Sequence, residues 1–175
     1  MSKLGKTALK QQLAQRSKAQ LLDEIVELFE KFSVVRDYYQ AQFNPLDREQ
    51  LLEKYKAVIH QEFFPERGTG KARRSVAQKA ISDYKKVVGD PLGVADLLLY
   101  VVETGVQFTN AYGDMDEPFY TSMERIYHQA IQHLVKHGIQ ERFELRCHSI
   151  LTQTRHVGWG FYDTMSEIFY GSFER

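Results

Sequence analysis

Pro91-Leu-Gly-Val-Ala-Asp-Leu-Leu-Leu-Tyr-Val-Val-Glu103 is apolar on almost every side of a helical wheel. At 100° per residue, its leucines, valines and Ala95 leave only a narrow polar stripe of Asp96, Tyr100 and Glu103. A helix that is apolar nearly all round belongs at the centre of a helical core, wrapped by its neighbours. The segment begins where Asp90 can cap and Pro91 can take the first helical position, where a missing N–H costs nothing. Thr104-Gly105 reads as its end. The longest wholly apolar run, Leu97 to Val102, is far shorter than the roughly 20 residues needed to cross a bilayer, so no membrane span is expected.

Working toward the N-terminus, a short helix near 7–15 stops at Ser17. There Ser17-Lys-Ala-Gln20 has the spacing of a capping box and opens a second helix. Leu21, Leu22, Ile25, Val26, Leu28, Phe29 and Phe32 recur at three- and four-residue intervals, and after a break at Ser33 the pattern resumes in Val34, Val35, Tyr38, Tyr39 and Phe43. Asn44-Pro45 ends this arm. A helix over 47–61 follows, closed by Phe64-Pro65 and the loop Arg67-Gly-Thr-Gly70. Toward the C-terminus, a loop through Asn110, Gly113 and Asp116 leads to Glu117-Pro118. That pair opens a long helix ending at His137-Gly138, a glycine suited to a left-handed cap. Helices over 140–156 and 161–170 complete the chain. Few segments alternate with period two, so the fold is expected to be all-α. Eight or nine helices would form antiparallel hairpins, as a bundle or a short helical-repeat-like array. The expected organisation is an N-terminal helical arm (1–45) on a helical core (46–175), together one compact domain.

The 175 residues carry no net charge, yet the charges are segregated. From Arg67 to Lys86 there are seven Lys or Arg and one acid, Asp83; from Val87 to Glu124 there are seven acids and no Lys, Arg or His. Such segregation calls either for internal pairing or for a charged partner. A single Cys147 excludes an intrachain disulfide framework, and the N-terminus, with Lys3, Lys6 and Lys10, lacks the apolar core of a signal peptide. A cytoplasmic location is therefore expected.

Glu103-Thr-Gly-Val-Gln-Phe-Thr109, Tyr112-Gly-Asp-Met-Asp-Glu-Pro-Phe-Tyr120 and Gly158-Trp-Gly-Phe-Tyr-Asp163, after a basic Arg73-Arg-Ser-Val76, make up a recognisable set. With it the chain resembles, over nearly its whole length, an uncharacterised bacterial family catalogued only as a domain of unknown function. The resemblance implies a bacterial, cytoplasmic, helical protein and carries no activity or binding residues. The opening helices are also superficially similar to small nucleic-acid-binding helical modules of the SAP or Rho N-terminal type. A basic glycine-containing second turn is missing, and an ordinary helical hairpin explains the pattern.

On a helix from 71 to 88, Lys71, Arg74, Lys79, Lys85 and Lys86 share a basic outer face that could grip a nucleic acid or other polyanion. Arg73 projects to the opposite, apolar face. Because buried carboxylates must be paired, protonated or bound to a cation, Arg73, and secondarily Arg74, is expected to pair with Glu103 or Asp96 across the short turn at Gly89. Together with Tyr100 these residues form the ion-pair or pocket candidate. Asp114, Asp116 and Glu117 could present oxygens to a hard cation, but they also have the pattern of a helix start, which is the preferred reading. His128, His133 and His137 do not share one helical face and suggest no zinc site; a proton is expected on the two nearest the helix end. Cys147 reads as a buried apolar residue. The aromatic end, with Trp159, Tyr162, Phe169 and Phe173, should dock on the core, with a groove or oligomer interface as the alternative.

No cofactor motif, catalytic constellation or metal-ligand spacing stands out. The expectation is a non-enzymatic helical protein-interaction or regulatory module whose partner is another protein or a second copy. The alternatives are nucleic-acid or polyanion binding through the basic 67–86 segment, and a metal-dependent hydrolase with carboxylate ligands.

Overall fold

A computed structural model describes residues 4–44 and 47–173. Among the described residues there are nine α-helices and no strand, so the protein is all-α. The helices are α1 (Lys6–Leu13), α2 (Lys18–Lys31), α3 (Ser33–Phe43), α4 (Arg48–Phe63), α5 (Arg74–Val87), α6 (Pro91–Tyr112), α7 (Glu117–His137), α8 (Glu144–Thr152) and α9 (Phe161–Phe173). Pro45, read above as the end of the arm, and Lys3 lie outside the described residues.

The central position falls to α6. It packs against α4, α5, α7 and α8, while α9 closes over α7 and α8. Leu97, Leu98, Leu99, Val101 and Val102 have no exposed surface. At 22 residues α6 is long and apolar enough to cross a bilayer, but most of it is buried within this fold. It also runs further than the sequence suggests, because Gly105 is not a stop. A side chain there would drive into the Met123 thioether; the glycine lets α6 and α7 approach closely.

Helix ends follow the expected chemistry. The Ser17–Gln20 capping box is complete, Asp90 accepts from the Gly93 N–H, and Asp116 accepts from the Phe119 N–H. Gly138 takes the left-handed cap at φ 64°. The segment read as one helix over 140–156 instead divides into a 3-10 turn at Gln140–Arg142, α8, and an irregular turn before Gly158.

The arm is unlike the core. α3 packs against α4 and α5 through the small cluster of Ala41, Leu51 and Val87. α2 rests on α3, and neither α1 nor α2 has a buried residue. α1 forms no extended packing with any helix.

Candidate functional site

The acidic stripe of α6 is paired, but not with the cation expected. Arg146 on α8 donates from Nε and Nη2 to the two oxygens of Glu103, both at 2.7 Å, and from Nη1 to Asp96 at 2.8 Å. Lys56 on α4 reaches the second oxygen of Asp96 at 3.1 Å and stands over the Tyr100 ring. Burial opposes the charge on Arg146, yet the Glu103 and Asp96 carboxylates outweigh it and hold the guanidinium proton more firmly than usual. The stripe is thus a structural ionic clasp joining α4, α6 and α8.

Arg73, expected opposite Glu103, instead holds Glu62 at the end of α4. Its Nε and Nη2 donate to the two carboxylate oxygens at 2.8 and 2.9 Å, and its backbone N–H adds a third bond at 3.0 Å. These bonds keep the Glu62 carboxyl below the usual range. The expectation failed because α5 starts only at Arg74. Lys71, Ala72 and Arg73 are extended or turned, so wheel positions assigned to Lys71 and Arg73 do not apply. Arg74 likewise makes no pair with Asp96 or Glu103; its nearest polar partner is the Ser122 hydroxyl, 3.4 Å away.

The basic face of α5 is also partly neutralised from within. Lys79 and Lys86 both bind Asp83, at 2.5 and 3.4 Å. Lys71, Arg74 and Lys85 have no carboxylate within 4 Å among the described residues.

Three of the four segments that carried the family resemblance line one trough, and the fourth reaches it through the Trp159–Asp114 hydrogen bond. The loop before α5, the end of α6, the 113–116 turn and the start of α7 enclose a trough of about 640 Å³. Phe108, Tyr112 and Phe119 line it, with Phe108 and Tyr112 ring centroids 4.9 Å apart. Arg74 and Ser122 also line a smaller cavity that contains Arg125. Asp114 also lines a third cavity, with Asn110 and His156. Lys71 and Arg74 line the trough together with Asp114 and Asp116. Sequence reading singled out Lys71, Arg74, Asp114 and Asp116 separately. It missed Phe108, Phe119 and Ser122, which only the pairing of α6 with α7 brings to the same place.

Asp114 and Asp116 are committed to neutral donors. Asp114 accepts from the Tyr120 hydroxyl and from the Trp159 indole at 3.0 Å, and Asp116 caps α7. Glu117 lies in the first turn of α7, where the helix dipole favours it. Among the described residues no group of three or more His, Cys, Asp or Glu is arranged to hold a metal ion.

Ala72 (φ 47°) and Trp159 (φ 62°) are the two non-glycine residues with positive φ among those described; Ala72 lines this trough, and Trp159 bonds to Asp114, which lines it. Left-handed backbone in non-glycine residues costs roughly 1–2 kcal/mol and persists where the surroundings impose it.

Of the aromatic candidates, Phe169 is buried, Tyr162 and Phe173 are half-buried against the core, and Trp159 is 58% exposed. Cys147 is fully buried, which pushes its thiol up to about 12 and leaves it protonated and unreactive. His133 corrects the expectation of a favoured proton: burial pulls its imidazole below the usual value, while its Nε2 lies 2.9 Å from the Pro91 carbonyl.

The fold and this trough define an all-helical protein with a clasped core, an uncovered arm and a trough lined by both basic and acidic residues. The chain belongs to a family of unknown function (DUF6155), matched over residues 1–174. No curated protein and no solved structure matches it.

Proposed function

We propose that the protein is a non-enzymatic helical interaction module that pairs with a second copy of itself through its N-terminal arm. The observation that carries this reading is the bare apolar face of α2. Leu22, Ile25, Val26, Leu28 and Phe32 fall on one side of that helix, and each is 39 to 54% exposed. Together they expose on the order of 400 Å² of apolar surface, a size at which patches on monomers are often functional.

The flanks of the face give the chemistry of its occupant. Asp23 and Glu30 border one side, and on the other Glu24 is already held by Arg16. α1 has the complementary character: Lys6 and Lys10, no acid, an exposed Leu9, and no packing of its own. Laying α1 of one copy on α2 of the other, reciprocally, makes a self-complementary two-fold contact. It would bury roughly 1,600 Å² in total, an ordinary size for a specific interface. Two acidic-flanked α2 faces set directly against each other would repel, which favours the exchange of α1.

Polyanion binding along α5 is less well supported, since Lys79 and Lys86 are drawn onto Asp83 and Lys71 and Arg74 face the trough. A carboxylate-metal hydrolase is less supported still, with Asp114 and Asp116 engaged as hydrogen-bond acceptors.

Sedimentation velocity of the full chain tests the reading. Wild type is expected to pass from the 20.4 kDa monomer to a dimer as concentration rises. Val26→Asp should weaken that association at least tenfold without lowering the Tm of dilute, monomeric protein, because the residue is half exposed in the monomer. A monomer at every concentration would overturn the proposal.

A further inference from the structure

On a surface separate from the arm, the trough between α5, α6 and α7 is lined by three kinds of side chain. Lys71 and Arg74 have no carboxylate within 4 Å among the described residues. The Ser122 hydroxyl stands beside Arg74. Two cations with a hydroxyl suit a dianionic head such as a phosphate monoester better than a single carboxylate, because each phosphate oxygen can take a charge-assisted hydrogen bond.

The second kind is aromatic. Phe108 lies between Tyr112 and Phe119, with centroids 4.9 and 6.3 Å away, and Tyr112 is 56% exposed. Phe108 itself is buried in the core, and the rings open to a planar body are Tyr112 and the partly buried Phe119. Asp114 also lines the cavity; one of its oxygens accepts from Tyr120 and the other from Trp159, which leaves each oxygen a second lone pair for a ligand donor. A volume of about 640 Å³ is within the range of small-molecule sites, roughly 300 to 1,000 Å³. The left-handed backbone of Ala72 lies in its wall.

We infer that this trough binds a small aromatic phosphate, with the phosphate at Lys71 and Arg74, the ring on Tyr112 and Phe119, and a hydrogen-bond donor on the ring meeting Asp114. A purine nucleoside monophosphate has these three parts. The same head and ring also occur at the 5′ end of a nucleic-acid strand.

Titration calorimetry of the full chain with AMP, adenosine and inorganic phosphate is the test. AMP is expected to bind at least tenfold more tightly than either fragment. Lys71→Ala and Arg74→Ala should each weaken AMP about tenfold; both residues are exposed, so the fold should not suffer. Lys85→Ala, about three helical turns along α5 from Arg74, should leave binding unchanged. Trp159, the single tryptophan of the chain, should change its emission with the same midpoint. A 5′-phosphorylated hexanucleotide that competes with AMP assigns the site to strand ends; one that does not assigns it to the free nucleotide. No heat with 1 mM AMP, equal affinity for AMP and phosphate, an unaltered Arg74→Ala variant, or an unmoved Trp159 emission would overturn the assignment.

Discussion

Arg146→Ala is expected to destabilise the protein by about 3 kcal/mol, lowering Tm by roughly 6–12 °C for a chain of this length. Its side chain is 27% exposed, and those of Asp96 and Glu103 are 22% and 24% exposed. Removing the guanidinium therefore leaves two half-buried carboxylates seven residues apart on α6, with only Lys56 to answer Asp96. The cost comes mainly from the charges left behind, not from the attraction lost. A variant that also carries Asp96→Leu and Glu103→Leu should accordingly recover most of the stability, whereas Lys31→Ala, which breaks the exposed pair with Glu27, should leave Tm nearly unchanged. Thermal melts of these variants decide the matter. A loss below about 1 kcal/mol for Arg146→Ala would mean that solvent already screens the clasp.

Gly70→Ala should be comparably damaging, by about 3 kcal/mol, toward the upper end for overpacked sites. A methyl group at Gly70 would lie inside the radius of the Phe63 carbonyl oxygen, 2.6 Å from its carbon and 3.0 Å from the Phe108 ring. The obstacle is backbone at the end of α4, which cannot turn aside as a side chain can. The same stretch contributes the Glu62 carbonyl, which accepts from the N–H groups of Lys71 and Ala72, so relieving the clash would unseat the loop that lines the trough. Gly171→Ala, with open space around it, should be tolerated. Denaturant unfolding of both variants provides the measurement, and equal midpoints would contradict the close approach at Gly70.

Local chemistry was legible in the sequence wherever a few neighbouring residues determine it. The caps at Ser17, Asp90 and Asp116, the break at Ser33, the burial of α6 and of Cys147, and the all-α class all follow from spacing and side-chain type. Partners between helices were less legible. The carboxylates of α6 clearly required a cation, but the short connection to α5 favoured Arg73. The actual partner, Arg146, sits next to buried Cys147 at the edge of the inward face of α8, and that position was the available clue. The helical wheel failed for Arg73 because Ala72 adopts a left-handed conformation that no local pattern announces. Gly105 was taken as a stop because glycine weakens helices in isolation; in α6 the contact with Met123 overrides that tendency. The trough was visible only as scattered basic, aromatic and acidic residues until α6 and α7 were packed together.

The exposed face of α2 is the feature on which the functional reading depends most, and amide hydrogen exchange as a function of protein concentration tests it directly. Helices α1 and α2, with no buried residue, should exchange rapidly in dilute protein, since little tertiary packing protects them. As the concentration rises through the dimerisation range, the amides of α1 and α2 should slow together, with α6 and the aromatic α9 unchanged. Exchange in α2 that is the same at all concentrations, or protection that appears at α9 instead, would contradict an arm-to-arm interface.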